Sequence, residues 1–248
     1  MSVQQIRLDK CLAMLGLGSR SEVKQLIRRG QVSVDGVTAV DPERKLDAEN
    51  SRIIVAGTEY IFRSERTVML NKPAGVLTAA RDKKQRTVMD LLPPMYAAMD
   101  CMPAGRLDKD TTGLLILTSN GALAHRLIDP NKEVGKTYEA RIDSCFTGED
   151  EEAFRSGLLI NDADGMFEAR PAKARVLESS DESSLVEVCV SEGKYHQVKR
   201  MFAMRGYTVL QLKRVKIGRL HLDPALAPGE FRELTQEEIA LLEQEDGE

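Results

Sequence analysis

The chain has 248 residues, enough for one large domain or a large domain with a small one. Hydrophobic residues at 42% and charged residues at 30% describe an ordinary globular protein, and no run approaches the roughly 20 apolar residues that a membrane-crossing helix needs. The net charge of −4 argues against a polyanionic partner only until its distribution is seen: from Glu230 to Glu248 eight acids face Arg232 alone, which leaves residues 1–229 at +3.

The opening residues MSVQQIRLDK contain no apolar stretch of the secretory type, so a cytoplasmic protein is expected. Cys11, Cys101, Cys145 and Cys189 share no CxxC spacing, and only three histidines are present. That argues against a zinc site or a disulfide framework. Free thiols in a reducing compartment are the expectation. Trp is absent and aromatics make up 4%, so any base stacking must rely on a few Tyr and Phe.

In chain order, residues 7–16 and 20–29 are expected as two short helices. Ser19 reads as an N-cap with Glu22 three residues on, a capping box, and Gly30 follows as the C′ residue. Val32 and Val34 alternate before Asp35-Gly36, a hairpin signal, and Ile53–Val55 adds a strand. The polar stretch from Gly57 to Arg66 makes the boundary. The expected organisation is a module at 1–60, a linker at 61–66, a main domain at 67–240 and an acidic tail at 241–248. On the second helix Arg20, Lys24 and Arg28 recur at i, i+4 and i+8 beside Val23, Leu26 and Ile27, and Arg29 adds a charge. Such a stripe is either a solvated face or a row of phosphate contacts.

From residue 67 onward, strands are expected at 67–71, 114–118, 137–142, 172–177, 185–190 and 208–217. Helices are expected at 87–92, 120–128, 149–157 and 195–205, with a short acidic helix at 235–244 capped by Thr235 and Glu238. Many strands and few helices, in no strict βαβ order, predict an α+β fold with a mixed, mainly antiparallel sheet.

The candidate chemistry starts at Asp108. It lies in the polar loop Gly105-Arg106-Leu107-Asp108-Lys109-Asp110-Thr111-Thr112-Gly113, just before the apolar run Leu114–Leu117. An acid held at the mouth of a core strand is well placed for catalysis, although loop acids also cap turns. The segment Asp108–Thr112 also fits the DxDxT pattern of haloacid dehalogenase-like phosphatases. However, Pro103, Gly105 and Arg106 interrupt the apolar strand that family needs, and its later acidic metal ligands are missing. An EF-hand fails because Ser119 stands where the loop needs Glu. P-loop and Rossmann patterns are absent.

Two further segments stand out. Lys136-Thr137-Tyr138 opens a strand. In Glu192–Phe202 a helical reading puts Tyr195, Val198 and Phe202 on one face, with Lys199 at its edge. Lys199 either snorkels to water or pairs with Asp108, which would keep that carboxylate ionised.

Together these segments resemble the rRNA pseudouridine synthases in order, spacing and wording. Gly105–Leu115 is similar to the family's catalytic-aspartate motif, Lys136–Tyr138 to its tyrosine motif and His196–Phe202 to its basic motif. Asn71-Lys72-Pro73-Ala74-Gly75 is similar to its NKPxG turn, and Arg214–Gly218 with Leu226–Leu234 to its closing strands. The wording at Asp110–Gly113, Lys136–Tyr138 and Tyr195–Phe202 resembles the type acting on small-subunit (16S) rRNA, with a 23S rRNA target as the alternative. Arg7-Leu8-Asp9-Lys10, Ser19-Arg20-Ser21 and Gly30–Gly36 resemble the S-four-type RNA-binding domain. The resemblance implies a cofactor-free and metal-free isomerisation of uridine to pseudouridine. Asp108 would be the essential group, Lys199 would orient it, and Tyr138 would pack on the uracil. Arg106 would hold the opened RNA and Ile217 would wall the base. It also implies RNA contacts from Arg7, Lys10, Arg20, Lys24, Arg28, Arg29 and Arg200. The implied partner is rRNA, free or within a pre-ribosomal particle, bound by a monomer without membrane involvement. A non-catalytic ribosome-assembly factor is the rival reading, against which the intact Asp108, Tyr138 and Lys199 set argues.

Overall fold

A computed structural model describes residues 5–162 and 165–244. The chain divides into two compact units: residues up to Arg66 together with Leu92–Met102, and Thr67–Leu91 together with the chain from Pro103 onward. The first unit therefore takes back a segment from inside the second, which the simple division at 61–66 did not foresee.

In the first unit β1 (Ile6–Arg7) pairs with β4 (Lys45–Leu46), and β2 (Val32–Val34), β3 (Val37–Ala39), β5 (Ile53–Val55) and β6 (Thr58–Tyr60) form a sheet in the order β3-β2-β5-β6. Helices α1 (Leu8–Met14) and α2 (Arg20–Arg28) cover a core of Leu8, Leu12, Val23, Ile27, Val32, Val34 and Ile53. The capping box forms: Ser19 N donates to Glu22 Oε2 at 2.7 Å and Glu22 N to Ser19 Oγ at 3.4 Å. Asp35 and Gly36 both take positive φ (53° and 79°), as a tight hairpin demands. The returned segment supplies α3 (Pro94–Ala98), which packs on α1.

In the second unit β7 (Thr67–Lys72), β8 (Met102–Pro103), β9 (Thr112–Thr118), β10 (Lys136–Ile142), β13 (Lys173–Ser179), β14 (Ser184–Val190), β15 (Val209–Ile217), β16 (Leu220–His221) and β17 (Phe231–Glu233) build the sheet. Its main path runs β13-β14-β10-β15-β9-β7-β17. Every pairing on that path is antiparallel except β15–β9, so the fold is α+β with a mixed, mainly antiparallel sheet. Separately, β11 (Leu159–Asp162) pairs antiparallel with β12 (Gly165–Glu168), and neither strand is among the expected elements. The remaining helices are α4 (Gly121–Ile128), α5 (Gly148–Ser156), α6 (Gln197–Met204) and α7 (Gln236–Glu243).

Strand β9 is buried on both faces, as its unbroken apolar run requires. One side of the sheet packs Met69, Leu114, Ile116 and Ile217 against Leu123, Leu127 and Leu242. A cluster of Phe146, Phe154, Phe202 and Tyr207 forms under α6, with ring centroids 5.0–5.7 Å apart. Gly113 sits where β9 and β15 merge. Its φ is +97°, and a Cβ there would lie 2.2 Å from the Arg214 carbonyl oxygen, so only glycine fits.

Three expectations are corrected. Residues 87–92 hold a single 3-10 turn, Val88–Leu91, rather than an α-helix. The helix expected at 195–205 starts at Gln197, because His196 adopts a left-handed conformation (φ 51°, ψ 28°) that a helix cannot continue. Tyr195 therefore lies outside the helix, 65% exposed, and does not share a buried face with Val198 and Phe202. Finally, α7 runs to Glu243 and buries Leu242, so a tail beginning at 241 would cut into a packed helix.

Candidate active site

The loop after β8 carries Asp108 to one end of the sheet, and the NKPAG segment, which begins in the last two residues of β7, cradles it. Lys72 is fully buried, and its ammonium donates to the carbonyl oxygens of Thr111 (2.9 Å), Pro73 (3.1 Å) and Lys109 (3.3 Å). Gly75 N donates to Lys109 O at 2.8 Å. Thr78 Oγ1 donates to Leu107 O at 2.8 Å, and Leu107 N lies 3.2 Å from the same hydroxyl. The backbone on both sides of Asp108 is thus tied to one neighbouring segment. Burial pushes the Lys72 ammonium down from 10.5 to about 8, with Asp110 and Asp108 opposing the shift.

Across from this loop stands the segment 192–199. Glu192 is buried and accepts from Gln197 Nε2 (2.7 Å) and Arg170 N (2.9 Å), while Lys194 N donates to Gln197 Oε1 at 3.0 Å. These bonds set the turn that brings His196 and Lys199 to the acids. His196 Nε2 lies 3.4 Å from Asp108 Oδ1, and Lys199 Nζ lies 3.6 Å from Asp108 Oδ2. The short bonds of Lys199 go elsewhere, to Asp110 Oδ1 (2.6 Å) and Oδ2 (2.8 Å). The hydrogen bond from Lys199 holds the Asp110 carboxyl below the usual range. The expected Lys199–Asp108 pairing is therefore a shared one, with Asp110 taking the closer contacts.

Arg106, Asp108, Tyr138 and Lys199 line one cleft, whose apolar wall is Leu107, Val190, Val198 and Leu212. Tyr138, on β10, is 9% exposed, and its hydroxyl lies 3.4 Å from Nη1 of the buried Arg214. Arg214 Nε donates to Leu114 O at 2.8 Å. Its Nη2 and the hydroxyl of Thr111, a residue lining the cleft, are buried polar atoms without a hydrogen-bond partner in the protein.

Ile217 is not among the residues lining the cleft. It lies in the core with Met69 and Leu114, and Leu212 of the same strand provides the apolar wall. Arg200 stands 5.1 Å from the Tyr195 ring centroid, and Tyr195 stacks on His196 at 3.8 Å. In the first unit Lys10, Arg20, Arg28 and Arg29 are exposed. Arg7 is bonded to the buried Asp9 (2.8 and 3.0 Å) and to Glu43 (3.0 Å), and Lys24 Nζ lies 3.7 Å from Asp9. Those two cations thus hold the fold together at Asp9, whose carboxyl is lowered first by the Arg7 hydrogen bond. Among the described residues no group of His, Cys, Asp and Glu has the arrangement of a metal site.

Lys72, Thr111, His196 and Arg214 were missed as site residues. Arg214 had a signal: it occupies the inward register of β15, two residues after the buried Leu212, where a cation must find partners.

A family model described as RNA pseudouridylate synthase matches residues 66–204, and an S-four domain model matches residues 6–53. The chain is similar to an uncharacterized RNA pseudouridine synthase of Bacillus subtilis, 46% identical over 96% of this chain and 98% of that protein. It is 37% identical to the ribosomal small subunit pseudouridine synthase A of Vibrio cholerae (95% and 98% covered) and to that of Escherichia coli (95% and 99%). A solved structure described as a pseudouridylate synthase superimposes with a TM-score of 0.65 at 33% identity, covering 96% of this chain and 99% of that one. With its motifs gathered in one cleft and its relatives matching end to end, the chain belongs to the RNA pseudouridine synthases and carries an N-terminal S-four domain.

Proposed function

We propose that the protein isomerises a specific uridine of 16S rRNA to pseudouridine, without a cofactor, as a cytoplasmic monomer acting on rRNA or a pre-ribosomal particle. The observation that carries the chemistry is the convergence of Asp108, Lys199, His196 and Tyr138 at one cleft. The small-subunit target is supported by the names of the Vibrio cholerae and Escherichia coli relatives.

The reaction breaks the N1–C1′ bond, turns the uracil, joins C5 to C1′ and moves the C5 proton to N1, so no atoms are gained or lost. The target nucleotide must leave its stack to reach Asp108, at a cost of a few kcal/mol. Asp108 acts on the ribose or at C1′ as an ionised carboxylate, with Lys199 and His196 at its two oxygens. Tyr138 packs on the base and stands ready to receive the C5 proton. Arg106, exposed at the rim, holds the RNA left open by the departed nucleotide. The first unit supplies affinity through Lys10, Arg20, Arg28 and Arg29.

Tritium release from 5-tritiated uridine tests this directly. Unmodified 16S transcript should release tritium with the parent enzyme, and Asp108→Asn should reduce the rate by at least about 1000-fold while binding RNA normally. Release only from 23S transcript would correct the target and keep the mechanism. Turnover persisting in Asp108→Asn would overturn the role of the aspartate.

A further inference from the structure

The cleft uses only one face of the sheet. Tyr138 and Val190 line it, whereas their chain neighbours Thr137 and Cys189 point to the opposite face. There they form the floor of a second, open concavity of about 690 Å³, lined also by Lys173, Arg175, Lys216 and Arg219. The pairing register explains its shape. Lys173 stands beside Cys189, Cys189 beside Thr137, and Thr137 beside Lys216, one row across β13, β14, β10 and β15. Two short side chains lie between two long cationic ones, roughly 14 Å apart at three strand spacings. The result is a trough with a polar floor and positive walls.

Its charge is unbalanced. Glu187 is the one acid among the lining residues, and it already accepts from Arg175 Nε at 2.7 Å. Arg219 donates to the neutral Gln244 at 2.9 Å. Among the described residues, neither Lys173 nor Lys216 is paired with an acid. An ordinary solvated sheet face intersperses its charges, whereas this row gathers cations around a groove.

We propose that this trough is a second RNA-binding site, taking the ribose-phosphate backbone of an rRNA segment remote in sequence from the target uridine. Because the trough and the cleft occupy opposite faces of the same strands, one duplex end cannot fill both. A long, folded RNA must pass around the rim of the sheet to touch both. The trough therefore favours large rRNA over short transcripts that only reach the cleft. The proposal rests on the RNA-isomerase reading above.

The test compares the parent with the triple variant Lys173→Gln, Lys216→Gln, Arg219→Gln, all at surface positions. Affinity for unmodified 16S and 23S transcripts is measured from low to high salt, and tritium release is measured at saturating RNA. The variant should bind at least about tenfold more weakly at low salt, with a log–log salt slope shallower by about 2. Its saturated rate should be unchanged. Equal affinity and equal slope in parent and variant would overturn the second site. So would a loss confined to the saturated rate, which would mean a structural effect on the cleft. If the parent itself released no tritium from either transcript, the isomerase reading would fail instead, and the binding comparison would still decide the trough.

Discussion

The loop carrying Asp108 and the loop carrying His196 face each other across the cleft, and they are fixed by different means. The first is gripped by a buried ammonium: Lys72 donates to the carbonyl oxygens of Lys109 and Thr111 in the loop and of Pro73 beside itself, and among the described residues it makes no hydrogen bond to a loop side chain. The second is fixed by side chains, the Gln197 amide on the Glu192 carboxylate, with backbone donors from Arg170 and Lys194. A grip on backbone carbonyls leaves the loop's side chains free for chemistry, so Asp108, Lys109 and Asp110 can all face outward. A grip through side chains uses positions 192 and 197 for structure and leaves 194, 196 and 199 for the cleft. The two walls thus divide their residues between holding and acting in different proportions.

Breaking the first wall should have the largest effect. In Lys72→Met the three carbonyls lose their common donor and Asp108 drifts, so kcat should fall about 100-fold, the cost of a displacement near 1 Å. A pH signature should disappear with it. The Lys72 ammonium titrates lower in the folded protein (about 8) than at its ordinary 10.5. The unfolded chain therefore binds more protons between those values, and stability contributed by this residue rises as pH climbs from about 8 to 10.5. Thermal melts across that range should show the rise in the parent and lose it in Lys72→Met. A retained rise would assign it to another group.

Breaking the second wall should cost less. Gln197→Leu leaves the buried Glu192 with one donor fewer, worth about 1–3 kcal/mol, and should lower Tm by roughly 2–4 °C for each of these. Activity should suffer through His196 placement, and an unchanged Tm would show that Arg170 N alone satisfies the carboxylate. The smallest effects belong to the first unit, and they sharpen the contrast between its two kinds of cation. Arg28→Gln should weaken RNA binding a few-fold and reduce the salt slope by about 1 at unchanged Tm. Lys24→Gln, beside Asp9, should instead be read in stability. Equal salt slopes for parent and Arg28→Gln would remove that arginine from the interface.

What could be read from the chain was what local rules decide. The capping box at Ser19, the positive-φ turn at Asp35-Gly36 and the buried run of β9 each depend on a few adjacent residues. The motifs singled out Asp108 and Tyr138, two residues that line one cleft. Lys72 was not recognised as a cradle, since its value lies in carbonyls almost forty residues away. Arg214 needs the parallel pairing of β15 with β9 to find its partner at Leu114. Tyr195 was misplaced because nothing in Lys194-Tyr195-His196 announces a left-handed residue before the helix. Ile217 was assigned to the base by its motif, whereas it packs in the core with Met69 and Leu114, and the cleft takes Leu212 from the same strand.

The return of Leu92–Met102 to the first unit has a practical consequence. A chain that leaves one unit, enters the other and comes back is not two beads on a string. Cutting after residue 66 would remove α1 from beneath α3 and strand Tyr96, Met99 and Cys101, all buried in the intact protein. The contribution of the N-terminal module to RNA binding is therefore better measured by exchanging single cations than by truncation.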